Sequence, residues 1–262
     1  MTVRVERPAA GVAELVMDRP EALNAVSTEQ ARALTAACGQ LGLEPDLQVV
    51  VLSSAVPRAF CVGADLKERA GFTDRQLADQ RPVTRAAYAA VLDLPMPTVA
   101  AVEGFALGGG CELALACDLI VASDTAVFGL PEVSVGLVPG GGGTQLLQRR
   151  IGLNRAADLI FTARRVDADE AFRLGLADRR VGAGAARSAA LELARQIAGH
   201  SPVALRNAKG ALRQGADMDL PSALLIEDQA WQRTAFSADR VEGIAAFNDR
   251  RAPRWPGLPP GS

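Results

Sequence analysis

Apolar positions along this chain follow two periods. Residues 12–18 (VAELVMD) read as a strand that Arg19-Pro20 ends. Residues 47–53 (LQVVVLS) and 98–102 (TVAAV) are short, continuous β-branched runs, the pattern of strands covered on both faces. Residues 119–122 predict a further short strand. Between them, 28–41 is rich in Ala and Leu at helical spacing, with Ser27 or Thr28 as its cap. Residues 74–94 are helical with an interruption near Pro82, and 108–117 is a short helix. Strand and helix thus alternate through the first 150 residues, which predicts an α/β architecture with parallel pairing.

After Gly143 the period changes. The spacing predicts helices over 145–151, 155–162, 168–174, 185–198, 202–214, 221–236 and 238–250, with a strand at 177–181. The closing segment RAPRWPGLPPGS holds four prolines in twelve residues and reads as extended or frayed. We divide the chain into a core over 1–200 and a helical region with its tail over 201–262. The amphipathic helices outnumber the strands available to cover them, which predicts a subunit interface.

Composition narrows the function. The chain has 262 residues, 49% apolar and 22% charged, enough for a sizeable core. A net charge of −2 and the absence of any basic run speak against nucleic acid as a partner. Cys38, Cys61, Cys111 and Cys117 show no paired spacing, and His200 is the single histidine, so no zinc site and no other metal is expected. The thiols suit a reducing cytoplasm. No apolar run approaches the roughly 18 residues of a membrane span.

Candidate chemistry centres on 104–132, which opens GFALGGGCELALACD and ends FGLPE. Gly108, Gly109 and Gly110 lead into a helix that carries Glu112. Each helical glycine costs roughly 1 kcal/mol against alanine, so three in a row need a reason. A bare helix start offers unpaired N–H groups to an anion, while close packing of helix on strand is the plainer account. No phosphate-loop or dinucleotide signature is present. RAFCVGADLKE (58–68) is a second break of this kind, after the LQVVVLS strand. If the two strands are neighbours, both loops meet at one edge and each brings an N–H to a shared anion. Glu112 in a first turn is favoured as the anion, whereas Glu132, among Leu130, Val133, Val135 and Leu137, is favoured neutral. An isolated first-turn glutamate is usually only a helix-start charge; the glycines weaken that account. The loop Pro139-Gly140-Gly141-Gly142-Gly143-Thr144 reads as a tight turn that positions the Glu132 segment.

At these residues the chain resembles the enoyl-CoA hydratase/isomerase, or crotonase, superfamily. The blocks that carry the resemblance are RAFCVGADLKE, MPTVAAVEGFALGGGCELALACDLIVAS, FGLPEVSVGLVPGGGGTQLL and SADRVEGIAAFNDRR, and it runs from about Val3 to Arg251. It implies a crotonase-like (ClpP/crotonase) spiral of repeated ββα units followed by a C-terminal helical trimerisation region. It implies a homotrimer or dimer of trimers. It implies an acyl-CoA thioester whose oxygen lies between the N–H groups of Ala64 and Gly109, with Ala64, Asp65, Leu66 and Lys67 lining the coenzyme A site. Both hydratase glutamates fall on residues of this chain, Glu112 and Glu132. The resemblance therefore points to reversible hydration of 2-trans-enoyl-CoA to 3-hydroxyacyl-CoA, with coenzyme A part of the substrate and no further cofactor. A double-bond isomerase and a non-catalytic acyl-CoA-binding or scaffold protein are the rival readings.

Overall fold

A computed structural model of the chain describes residues 2–258. Its strands divide between two sheets in a repeating way. β1 (Val3–Ala9) and β2 (Val12–Met17) form an antiparallel hairpin. Three strand pairs follow: β3 (Val49–Ser54) with β4 (Ala59–Cys61), β5 (Thr98–Val102) with β6 (Phe105–Leu107), and β7 (Leu119–Ser123) with β8 (Val127–Gly129). The first member of each pair joins a six-stranded sheet in the order β1-β2-β3-β5-β7-β10, where β10 is Arg179–Val181. The second member joins a four-stranded sheet in the order β4-β6-β8-β9, where β9 is Arg165–Asp167. From β2 to β10 the large sheet is parallel. In the small sheet β4, β6 and β8 run parallel and β9 antiparallel. Together with helices α1 (Thr28–Gly42), α2 (Leu66–Arg69), α3 (Asp74–Leu92) and α4 (Gly109–Ala116), this is the expected spiral of ββα units.

The continuous β-branched runs bury both faces of the large sheet, and their period of two sorts them. Val50, Leu52, Ala100, Val102, Ile120 and Ala122 enter the main core with α1, α3 and α4. Val49, Val51, Val99, Ala101 and Val121 face the other way, onto Ala190, Leu191, Leu193 and Ala194 of α8 (Ala186–Ala198). Each such Val, Leu or Ile contributes roughly 1.5–3 kcal/mol. Arg187 fixes α8 at one end by reaching the fully buried Glu14 at 2.6 Å.

Several boundaries differ from the sequence reading. α3 runs unbroken through Pro82, whose ring lies on the exposed face, where water can take the freed carbonyl. Its start is self-contained: Thr73 and Gln76 form a reciprocal capping box. Ser27 caps α1. α5 (Gly143–Ile151), α6 (Leu153–Thr162) and α7 (Ala168–Leu174) follow the small sheet. The boundary at 200/201 falls between α8 and α9 (Pro202–Gly215), yet α9 is bonded to the core. Asp118 takes Lys209 at 2.7 Å and Arg213 at 2.6 Å, and Arg206 donates to the carbonyls of Glu44 and Leu47. α10 (Leu220–Ala235) and α11 (Ala238–Asn248) complete the fold and leave Leu225, Trp231, Ile244 and Phe247 exposed. The tail is extended but tied down. Trp255 Nε1 donates to the Gly199 carbonyl at 3.0 Å and the Gly257 N–H to Asp239 at 2.8 Å. Residues 259–262 lie outside the described chain. Among the described residues, no helix is long and apolar enough to cross a membrane.

Candidate active site

The site forms where the three parallel strands of the small sheet end. β4 runs into Gly63 and Ala64, β6 into Gly108 and α4, and β8 into a 3-10 turn over Pro131–Val135 that holds Glu132. The sequence reading assigned these loops to the strands 47–53 and 98–102. In the structure a short second strand stands between each of those and its loop, so the ligand edge belongs to the small sheet.

The glycine triplet gives each residue a different neighbour. Gly108 has φ +52, and a Cβ there would stand 2.9 Å from Glu132 Oε1. A Cβ on Gly109 would lie 2.1 Å from the Tyr88 hydroxyl, and one on Gly110 would lie 1.9 Å from the Cys61 carbonyl oxygen. The close packing of helix on strand is therefore real at Gly110, while Gly108 makes room for an acid. Gly63 Cα lies 3.5 Å from the Cβ position of Gly109, so the two glycine-containing loops touch. The N–H groups of Ala64 and Gly109 have no backbone acceptor among the described residues.

Both loops and both acids line one cleft of about 680 Å³. Ala64, Leu66, Gly109, Glu112 and Glu132 are on its wall. Lys67 and Asp65 are not. Lys67 is exposed, and the buried Asp65 caps α2 through the N–H groups of Lys67 and Glu68 and binds Arg19 at 2.6 Å. Burial would raise the Asp65 carboxyl, but the Glu68 N–H and the Arg19 guanidinium outweigh it and hold its pKa below the ordinary value.

The two carboxylates have unlike surroundings. Glu112 is 2% exposed, and its Oε1 accepts the N–H of Gly141 at 2.6 Å and of Gly143 at 2.8 Å. Burial raises its pKa, against the opposing pull of Gly143, Gly141 and Arg81. The amide donors, which come from a distant loop, oppose the rise without reversing it, so the anionic preference expected from the helix end is not borne out. That loop is Pro139–Thr144, and here it corrects the sequence reading: its amides hold Glu112, not the Glu132 segment. Glu132 receives no such support. Its Oε2 is buried with no hydrogen-bond partner among the described residues, and burial, then the Glu112 charge, pushes its pKa up to about 7. The order foreseen from sequence holds for Glu132, the acid more easily kept neutral.

Two residues of α3 complete the cleft wall, and of these Tyr88 escaped the sequence reading. Tyr88 of α3 packs between Gly109 and Gly141, with its hydroxyl at the first and its ring at the second. Burial raises its pKa well above the usual phenol value, so it stays a proton-bearing donor. Arg81, two helical turns earlier, lies over Gly140 and donates to that carbonyl at 2.7 Å. For Tyr88 the helical period of 74–94 carried the only signal, since 81 and 88 share a face.

A cleft with two amide donors and two acids suits the polarisation of a carbonyl with proton transfer beside it. Comparison with known proteins agrees. The family model described as enoyl-CoA hydratase/isomerase matches residues 7–258. A probable enoyl-CoA hydratase 2, mitochondrial, of Arabidopsis thaliana is 40% identical over 248 residues, covering 95% of this chain and 82% of that protein. The human methylglutaconyl-CoA hydratase, mitochondrial, is 40% identical over 257 residues, covering 97% and 76%. The crystal structure of an enoyl-CoA hydratase from Bacillus anthracis superposes with a TM-score of 0.96 at 38% identity, covering 98% of this chain and all of that one. With the family model matched over residues 7–258, relatives 40% identical over nearly the whole chain and the fold in agreement, the chain belongs to the enoyl-CoA hydratase/isomerase family.

Proposed function

We propose that the protein hydrates 2-trans-enoyl-CoA thioesters to 3-hydroxyacyl-CoA, reversibly. The observation that carries this reading is the meeting of Glu112 and Glu132 in one cleft with the N–H groups of Ala64 and Gly109, which have no backbone acceptor among the described residues. In this reading the two amides donate hydrogen bonds to the thioester oxygen, which draws electron density from C2=C3. One such donor is typically worth about 10² to 10³ in rate. A water held between the acids adds its oxygen to C3 and gives its proton to Glu112. The electrons of the double bond pass to the thioester oxygen, and the enolate formed stays on the amides. Glu132, kept neutral by burial, supplies the proton at C2. Proton exchange through the open cleft then restores both acids, and the net change is one water added. No electron is gained or lost, so the reaction calls on no redox group.

We extend the reading to the assembly. The exposed apolar side chains of α10 and α11 fit a homotrimer or a dimer of trimers. The four buried free thiols suit a reducing compartment, of which the cytoplasm is our choice. Ultraviolet absorbance with a panel of C4 to C16 enoyl-CoA substrates tests the chemistry. Loss of the conjugated-thioester band supports hydration. Its gain from a 3-enoyl substrate, with no loss from any 2-enoyl one, assigns an isomerase instead. Binding without turnover at every length would leave only an acyl-CoA carrier.

A further inference from the structure

One wall of the cleft is a helical stripe. Asp74, Leu77, Ala78, Arg81, Thr84 and Tyr88 all come from α3 and all face the cavity, at spacings of three and four residues. Leu137 and Val138 of the facing loop are apolar, as an aliphatic tail requires. The stripe is not. A guanidinium stands midway along it and a phenol at its near end.

The guanidinium has donors to spare. Among the described residues, Arg81 makes one hydrogen bond, to the Gly140 carbonyl, and has no ion-pair partner. Four of its five N–H groups remain open. The Tyr88 hydroxyl likewise has no hydrogen bond among the described residues and sits against Gly109, beside the amide that would meet the thioester. A purely aliphatic acyl chain would cover both groups and satisfy neither, at a desolvation cost. An anionic end would be bound by the first.

Position sets the length. Arg81 grips Gly140, and the next residue, Gly141, holds Glu112. In the proposed reaction Glu112 faces C3. A group on Arg81 therefore stands close beyond C3, which suits a short acyl chain and leaves no role for a long one. Arg69 also lines the cleft, bonded through Nε to Gln80 at 2.9 Å and without an ion pair among the described residues. The charged residues that share the cleft with Arg81 are Glu112, Glu132 and Asp74 as acids and Arg69 as a second cation.

Resting on the hydratase reading for the place of C3, we propose that this pocket selects a short enoyl-CoA whose far end carries a carboxylate, paired with Arg81. An Arg–carboxylate pair at a half-wet site supports about tenfold selectivity.

Two measurements test it. Steady-state kinetics compare pent-2-enoyl-CoA with its analogue in which the terminal methyl is a carboxylate, in the parent and in Arg81→Met and Arg81→Lys. The expected ratio of kcat/KM favours the carboxylate by about tenfold, collapses in Arg81→Met and is partly kept in Arg81→Lys. A ratio unchanged in Arg81→Met overturns the proposal, including the case where both substrates weaken equally because Arg81 serves the coenzyme A phosphates. Titration calorimetry with the saturated pair, pentanoyl-CoA and glutaryl-CoA, reads the same preference without turnover. A glutaryl preference lost in Arg81→Met, in a protein that hydrates neither enoyl substrate, upholds the pocket and removes the hydratase reading. An equal affinity for the saturated pair, with hydration intact, does the reverse.

Discussion

The N–H of Gly141 donates to the Glu112 carboxylate at 2.6 Å, across 29 residues of chain. Glu112 belongs to α4 and Gly141 to the loop before α5, so this bond joins two elements at the cleft. It also separates the acids by role. One carboxylate is held by main-chain donors. The other has a buried oxygen with no hydrogen-bond partner among the described residues.

Removing either proton-handling group tests that division. Glu112→Gln and Glu132→Gln should each lower the hydration kcat by about 10² to 10⁴, the usual worth of a positioned acid or base. The assay is the loss of enoyl-thioester absorbance. Activity that survives Glu112→Gln and vanishes with Glu132→Gln would indicate double-bond migration instead.

Glu132 should also leave a mark on stability. Its pKa is about 7 in the fold and 4.5 ordinarily. Between those values the native state holds a proton that the unfolded state releases, so stability falls as pH rises through the window. Glu132→Gln carries no such charge. Its Tm should exceed the parent's by roughly 2–6 °C at pH 8 and match it near pH 4. A difference that does not vary with pH would refute the burial argument.

Two glycines predict opposite outcomes for the same substitution. Gly110→Ala drives a methyl to within 1.9 Å of the Cys61 carbonyl, which belongs to β4 and cannot move alone. It should destabilise by about 1–3 kcal/mol. Gly39→Ala, on an exposed turn of α1 with nothing within 4 Å, should stabilise by roughly 0.5–1 kcal/mol. Calorimetric Tm values distinguish them.

The C-terminal helices carry the assembly prediction. Leu225 is 66% exposed, Trp231 62% and Phe247 83%. Sedimentation velocity should give a species of three or six chains, each of 27.3 kDa. Leu225→Asp with Trp231→Asp should shift it to smaller species. A parent protein that sediments as a single chain would rule the interface out.

The sequence made some of this legible and hid the rest for physical reasons. The β-branched runs of β3 and β5 announce themselves because burial on both faces demands them over five or six residues. β4, β6, β8 and β9 are three residues each, too short for any alternation to register, so the small sheet that carries the site was not foreseen. Glu112 and Glu132 stood out because glycines and a proline flank them. Tyr88 and Arg81 lie within an ordinary amphipathic helix, and only the packing of α3 against α4 and the Pro139–Thr144 loop gives them neighbours. The bond from Gly141 to Glu112 is of the same kind: a loop amide has no sequence signature for the partner it will find.

The capping box of α3 has an evolutionary consequence. A helix that closes its own first turn, and exposes 74–79, owes little to the surrounding architecture for its entry. Those opening turns can be exchanged, lengthened or recharged while the reacting machinery on the small sheet keeps its alignment. Diversification of the molecules accepted would then concentrate in this one replaceable wall, and laboratory redesign has its natural handle there.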